Sequence, residues 1–137
     1  METDWVSRVP SIVFSRIKNE FSKEIKEKYS MTDKNFSTVG SSDTPAVFPF
    51  VYVKLLPAVE MGMDLDGKSI NAGLFTFQID VTDNKSQSRA KSVSFEILRI
   101  MKNMRFEVTA MPDFEDTKDT HRSTMRFRRV IGDGDVL

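Results

Sequence analysis

The chain contains no cysteine. That excludes a disulfide framework, a cysteine-ligated zinc and a cysteine nucleophile. It carries one histidine, His121, so a metal site would need carboxylates such as Asp119 beside it. It has no excess of either charge: Lys and Arg total 20, Asp and Glu total 20, and the net charge is zero. A nucleic-acid-seeking domain normally carries a basic excess, so bulk charge gives no support to DNA binding and leaves only a small local patch. No window approaches the roughly 20 apolar residues of a membrane span. The start, METDWVSRVPSIVF, has acids where a signal peptide needs a basic region. The expectation is a soluble protein made in a cytoplasm, without a membrane partner. Glycine is sparse and forms no phosphate-binding loop, since GDGD at 132–135 has no helix after it. No G-x-S-x-G nucleophile elbow occurs either.

What is present is alternation and helical periodicity. The 137 residues suffice for one domain with its own core. Residues 10–29 space Phe14, Ile17, Phe21, Ile25 and Tyr29 as one helical stripe, with Pro10 suited to a first turn and the charge run at 23–28 facing water. Residues 30–45 read as a loop in which Phe36 and Val39 leave room for a short strand. A strand follows over about 47–56, bounded by Pro49 and Pro57. A long tip at 58–72 contains the turn dipeptide Asp66-Gly67. Residues 74–82 alternate, with Phe75, Phe77, Ile79 and Val81 on one face and Leu74, Thr76, Gln78, Asp80 and Thr82 on the other. Residues 86–104 return to helical spacing through Ala90, Val93, Ile97, Ile100, Met101 and Met104. Between strand and helix, Asn84 and Gln87 resemble a capping box, with Asp83 favourably placed at the helix start. Two further strands follow, joined by an acidic loop, PDFEDTKD, and residues 132–137 form a tail.

This order predicts a single α+β domain over 1–137. Two helices pack on one face of a mainly antiparallel four-stranded sheet, in the order α-β-β-α-β-β, with one extra short strand allowed. The other face is then polar and free, or covered by a partner.

Three patterns suggest chemistry. PDFEDTK (112–118) has the residue types of a magnesium-dependent nuclease motif. Its acids and Lys118 lie too close in sequence to occupy neighbouring strands, so a solvated acidic loop is expected. DLDGKS (64–69) opens like a calcium loop. Its sixth position would be Ser69 where Gly is needed, and its twelfth Phe75 where Glu is needed, so a hairpin tip is expected. Arg122, Arg126, Arg128 and Arg129 form the densest basic stretch, with the first three in phase on one strand face. They would contact phosphates, or pair with Asp80, Glu107 or a neighbouring subunit across the polar face.

VFPFVYVKLLP, FTFQIDVTDNKSQSRAKSVSFEIL and MRFEVTAMPDFEDTKDTHRSTMRFRRVI, taken with the charged first helix, give a pattern over residues 5–131. It resembles the tail terminator (tail-to-head joining) proteins of long, non-contractile-tailed bacteriophages. The resemblance implies a structural virion protein rather than an enzyme, with no cofactor. It implies a ring, usually of six subunits, on the last ring of the tail tube, where it stops polymerisation and docks the head connector. Its partners would be further copies of itself, the tail tube protein and a head-completion or connector protein. Genomic DNA would pass through the lumen without sequence-specific binding. Subunit or lumen contacts would fall to Arg122, Arg126, Arg128, Arg129, Gln78 and Asp80. Contacts to tube or connector would fall to loop residues Met61, Met63, Asp64, Asp66, Lys68, Asp113, Glu115 and Asp116. The loops at 30–45 and 58–72 would order on binding. The alternatives are a head-completion or adaptor protein of the same neck, and a small nuclease or nucleic-acid-binding domain using Asp113, Asp116, Lys118 and the arginine strand.

Overall fold

The computed structural model describes residues 4–38, 47–62 and 70–137. Helix α1 (Asp4–Glu20) buries Trp5, Val9, Val13 and Ile17, one residue every four, so a single stripe meets the core. The helix thus starts before the expected position, and Pro10 lies inside it rather than in its first turn. It also stops earlier. At Ser22 the chain breaks into a short helix α2 (Lys23–Lys28) with no buried residue. The expected single helix over 10–29 is therefore corrected, and Phe14, Ile25 and Tyr29 are only half-buried at the rim. The cause is tertiary: Glu96 accepts the Ser22 backbone N–H at 2.6 Å, which holds the break open.

A one-turn 3-10 helix (Asp33–Asn35) follows, closed by a reciprocal Thr32–Asn35 capping box. Buried Asn35 also donates to the Pro49 carbonyl at 2.7 Å. Strand β1 (Phe36–Ser37) runs parallel to β2 (Phe50–Leu55), the extra short strand the sequence allowed. Val39 lies outside the described residues. Pro57 interrupts the edge after β2, because it has no N–H to donate. Pairing then resumes in β3 (Val59–Met61), inside what was expected to be loop. Both β2 and β3 are antiparallel to β4 (Ala72–Asp83).

Helix α3 (Gln87–Asn103) buries every residue of the expected stripe. Strands β5 (Glu107–Asp116) and β6 (His121–Gly132) close the sheet. Most of the expected acidic loop is strand: Asp113–Asp116 pair with β6, Pro112 falls in a register shift just before them, and only residues 117–120 turn. Two register shifts in β5 let this segment, including Pro112, stay at the sheet edge.

Among the described residues the fold is α+β with a six-stranded sheet and three α-helical segments, rather than four strands and two helices. The strand order is β1-β2-β4-β6-β5, with β3 also on β4. Phe75, Phe77, Ile79 and Val81 of β4 join Met125, Phe127 and Ile131 of β6 under α1 and α3. Edge-to-face ring pairs, Trp5–Phe75 at 6.0 Å and Phe77–Phe106 at 5.7 Å, tie α1 and the α3–β5 connection to β4.

Candidate interface: the uncovered sheet face and its two edges

The strand alternation that buries one face turns the other outward. Its registered rows read Phe50–Thr82–Arg122–Glu115, Tyr52–Asp80–Thr124–Asp113, Lys54–Gln78–Arg126–Ala110 and Thr76–Arg128–Glu107. Arg122 and Arg128 stand opposite Glu115 and Glu107 on β5, the Asp80 row holds acids without a cation and the Lys54 row cations without an acid, and much of the face is paired within the chain. Arg122 donates to Asp80 at 2.9 Å, and Asp80 is only 5% exposed beneath it. Arg126 donates to the side-chain amide oxygen of Gln78 at 3.2 Å. Arg128 meets Glu107 at 3.0 and 3.5 Å. The Arg128 hydrogen bond holds the Glu107 carboxyl below its usual range, and the same bond raises Arg128.

Arg129 does not join this group. It points to the helical side and donates to the Met104 carbonyl at 2.8 Å, the C-cap of α3, where a cation suits the helix dipole. Sequence phase separated Arg129 from Arg126 and Arg128, but nothing in the sequence showed that a helix end would lie beneath it.

One end of the outer face is apolar. Val59, Leu74 and Val130 form a cross-strand row over β3, β4 and β6, with Met61 and Ala72 in the next row. Val59 is 57% exposed, Val130 48% and Met61 41%. The candidate Met61 therefore belongs to a strand-built corner. Met63, Asp64, Asp66 and Lys68, with the Asp66-Gly67 turn, lie outside the described residues.

The opposite end holds the strand-to-helix junction. Asp83 is fully buried and accepts the backbone N–H groups of Lys85 and Ser86, each at 3.0 Å. The cap of α3 is Ser86, whose hydroxyl accepts the Arg89 N–H at 3.2 Å, so the expected Asn84–Gln87 capping box is not formed. The Gln87 amide instead reaches Asp116 at 3.3 Å. The Arg89 guanidinium lies 3.3 Å from Asp83 and 5.0 Å from the Tyr29 ring centre. Beside it opens a cavity of about 320 Å³, lined by Lys28, Tyr29, Phe48, Asn84, Lys85 and Arg89.

At the β5 side of this end, Asp116 bonds His121 Nδ1 at 2.7 Å, while Asp113, Glu115 and Asp119 are exposed. Asp113 and Asp116 share one strand, and Lys118 lies in the turn after it. Among the described residues no three His, Asp or Glu side chains are grouped to hold a metal ion. No family model matches this chain, and no curated protein matches it.

Proposed function

We propose that the protein is a structural subunit of a phage neck, a tail terminator that forms a ring, six-membered in the family it resembles, on the head-proximal end of the tail tube. Its work is assembly, not catalysis. The observation that carries this reading is the sheet face opposite α1 and α3, which no described helix covers and which is polar over most of its length and apolar at one corner. A ring subunit needs distinct patches for its neighbours and for the structures above and below. The face and its two edges offer such patches. The polar rows with Arg126 and Arg128 suit subunit or lumen contacts. The corner of Val59, Met61, Leu74 and Val130 suits an apolar contact to tube or connector.

Light scattering on the purified protein should give a discrete closed oligomer. Incubation with purified tail tubes should cap them, and tailless heads should bind none of it. Binding to heads and not to tubes would instead identify a head-completion or adaptor protein. DNA cleavage with Mg²⁺, abolished by Asp116→Ala, would replace both readings with a nuclease.

A further inference from the structure

The end of the sheet at which α3 begins carries opposite charges on its two sides. On the β2 side, Lys28, Lys85 and Arg89 converge on one cavity. Arg89 is matched by the buried Asp83 behind it. Lys28 and Lys85 are exposed and make no ion pair among the described residues. Tyr29 positions two of the cations by its ring, with Arg89 at 5.0 Å and Lys28 at 5.6 Å from the centroid. On the β5 side, the β5–β6 hairpin end presents Asp113, Glu115 and Asp119, also exposed and without ion pairs among the described residues. Asp116, between them, is already held by His121 and Gln87.

The hairpin of the same chain cannot fill its own cavity. The nearest lining residues, Asn84 and Lys85, follow β4, which lies two positions from β5 in the sheet, roughly 10 Å at the usual strand spacing, and the hairpin is held at that distance by the pairing of β5 to β6 and of β6 to β4. We propose that the acidic hairpin end of one copy docks into the basic cavity of the next copy. This deepens the ring reading above and rests on it. Each copy then carries one plug, at the end of the edge strand β5, and one socket, beside the β4–α3 junction. Such a contact is head-to-tail, closing into a ring or running on as a filament, and is not a two-fold dimer. It also makes a neutral net charge useful: the molecule is neutral in sum and polar from edge to edge. Because the groups are exposed, association weakens as salt rises.

The test uses two full-length charge-reversed variants that spare the internal pairs. One is Lys28→Glu with Lys85→Glu, and the other is Asp113→Lys with Asp119→Lys. Circular dichroism checks that both fold, and light scattering at low salt reads their mass. Each alone should associate at least tenfold more weakly than the unaltered protein. Mixed in equal amounts they should reassociate, because every reversed socket meets a reversed plug and every native socket a native plug, giving only even-numbered assemblies. Two folded variants that assemble as the unaltered protein does would overturn the contact and leave the ring reading standing. So would a mixture that stays monomeric. DNA or inorganic phosphate binding that the Lys28→Glu/Lys85→Glu variant loses, with assembly unchanged, would assign the cavity to phosphate instead. An unaltered protein that remains monomeric both alone and on tail tubes would remove the ring reading itself.

Discussion

Phe77 sits 1% exposed between the helical layer and the sheet, with its ring against Phe106. Truncation to alanine is expected to cost about 3–5 kcal/mol, read as a fall in the urea midpoint at unchanged slope. Glu96 makes a different kind of residue-scale prediction. Burial pushes its carboxyl upward, but bonds from Arg99 and from the Ser22 N–H outweigh that and hold it below the ordinary value of 4.5. A depressed carboxyl stabilises the fold fully above its unfolded value and loses that contribution as pH falls through the folded one. Thermal melts from pH 6 to pH 3 should therefore decline more steeply for the unaltered protein than for Glu96→Gln, and parallel curves would deny the bond that role. At this scale the core was open to sequence reading. Phe75, Phe77, Ile79 and Val81 alternate because one face must be dry, and Ala90 through Met104 repeat for the same reason on a helix. The partners of polar residues were less open. Arg122 with Asp80 and Arg128 with Glu107 were among the pairings the strand phase allowed, whereas Glu96 with Ser22 joins residues 74 positions apart that no local pattern connects.

The ends of the helices show where local pattern and structure parted. Ser86 and Asn84 both have side chains suited to a cap, and only the backbone decides between them. Ser86→Ala should cost about 1 kcal/mol, while Asn84→Ala should leave the melting temperature unchanged; the reverse outcome would restore the Asn84 cap. Neither α2 nor α3 ends in glycine. Ser30 and Arg105 take left-handed conformations, with φ of 55° and 66°. In each case two backbone bonds close the end: Met31 to Lys26 with Ser30 to Glu27, and Phe106 to Met101 with Arg105 to Lys102. These are Schellman closures without their usual residue. Arg105→Gly is accordingly expected to stabilise the protein by about 1 kcal/mol, measured by chemical denaturation. The missing glycine is also why the break at Phe21–Ser22 could not be read: one stripe, Trp5 to Ile17, and another, Ile17 to Tyr29, share Ile17 and look continuous. The acidic segment misled in a related way. Pro112 and four nearby acids imitate a loop, yet an edge strand tolerates proline and charge, and both help keep such an edge from pairing with stray chains.

For the whole molecule, the outer sheet face is where stability and assembly separate. Charge reversal at Arg128 places a carboxylate opposite Glu107, on an exposed surface where ion pairs contribute little. The monomer's melting temperature should barely move, while ring formation or tube capping is lost; normal capping by Arg128→Glu would reduce these arginines to a solvated face. The polar face was legible in outline from alternation alone, as was the layer order. The sheet's full width was not: Phe36 left room for β1, but β3 is too short to leave a periodic trace and exists only through its pairing with β4. The strand order carries a consequence for how the protein is made. Strand β6 comes last in the chain, yet it lies between β4 and β5 and supplies Met125, Phe127 and Ile131 to the core. A ribosome that has delivered everything up to residue 120 has made two strands that still lack their common neighbour. The sheet can close only once residues 121–132 have been delivered, so the fold waits on its last strand, and a product cut short before them has two open strand edges and no completed core for the cell's proteases to spare.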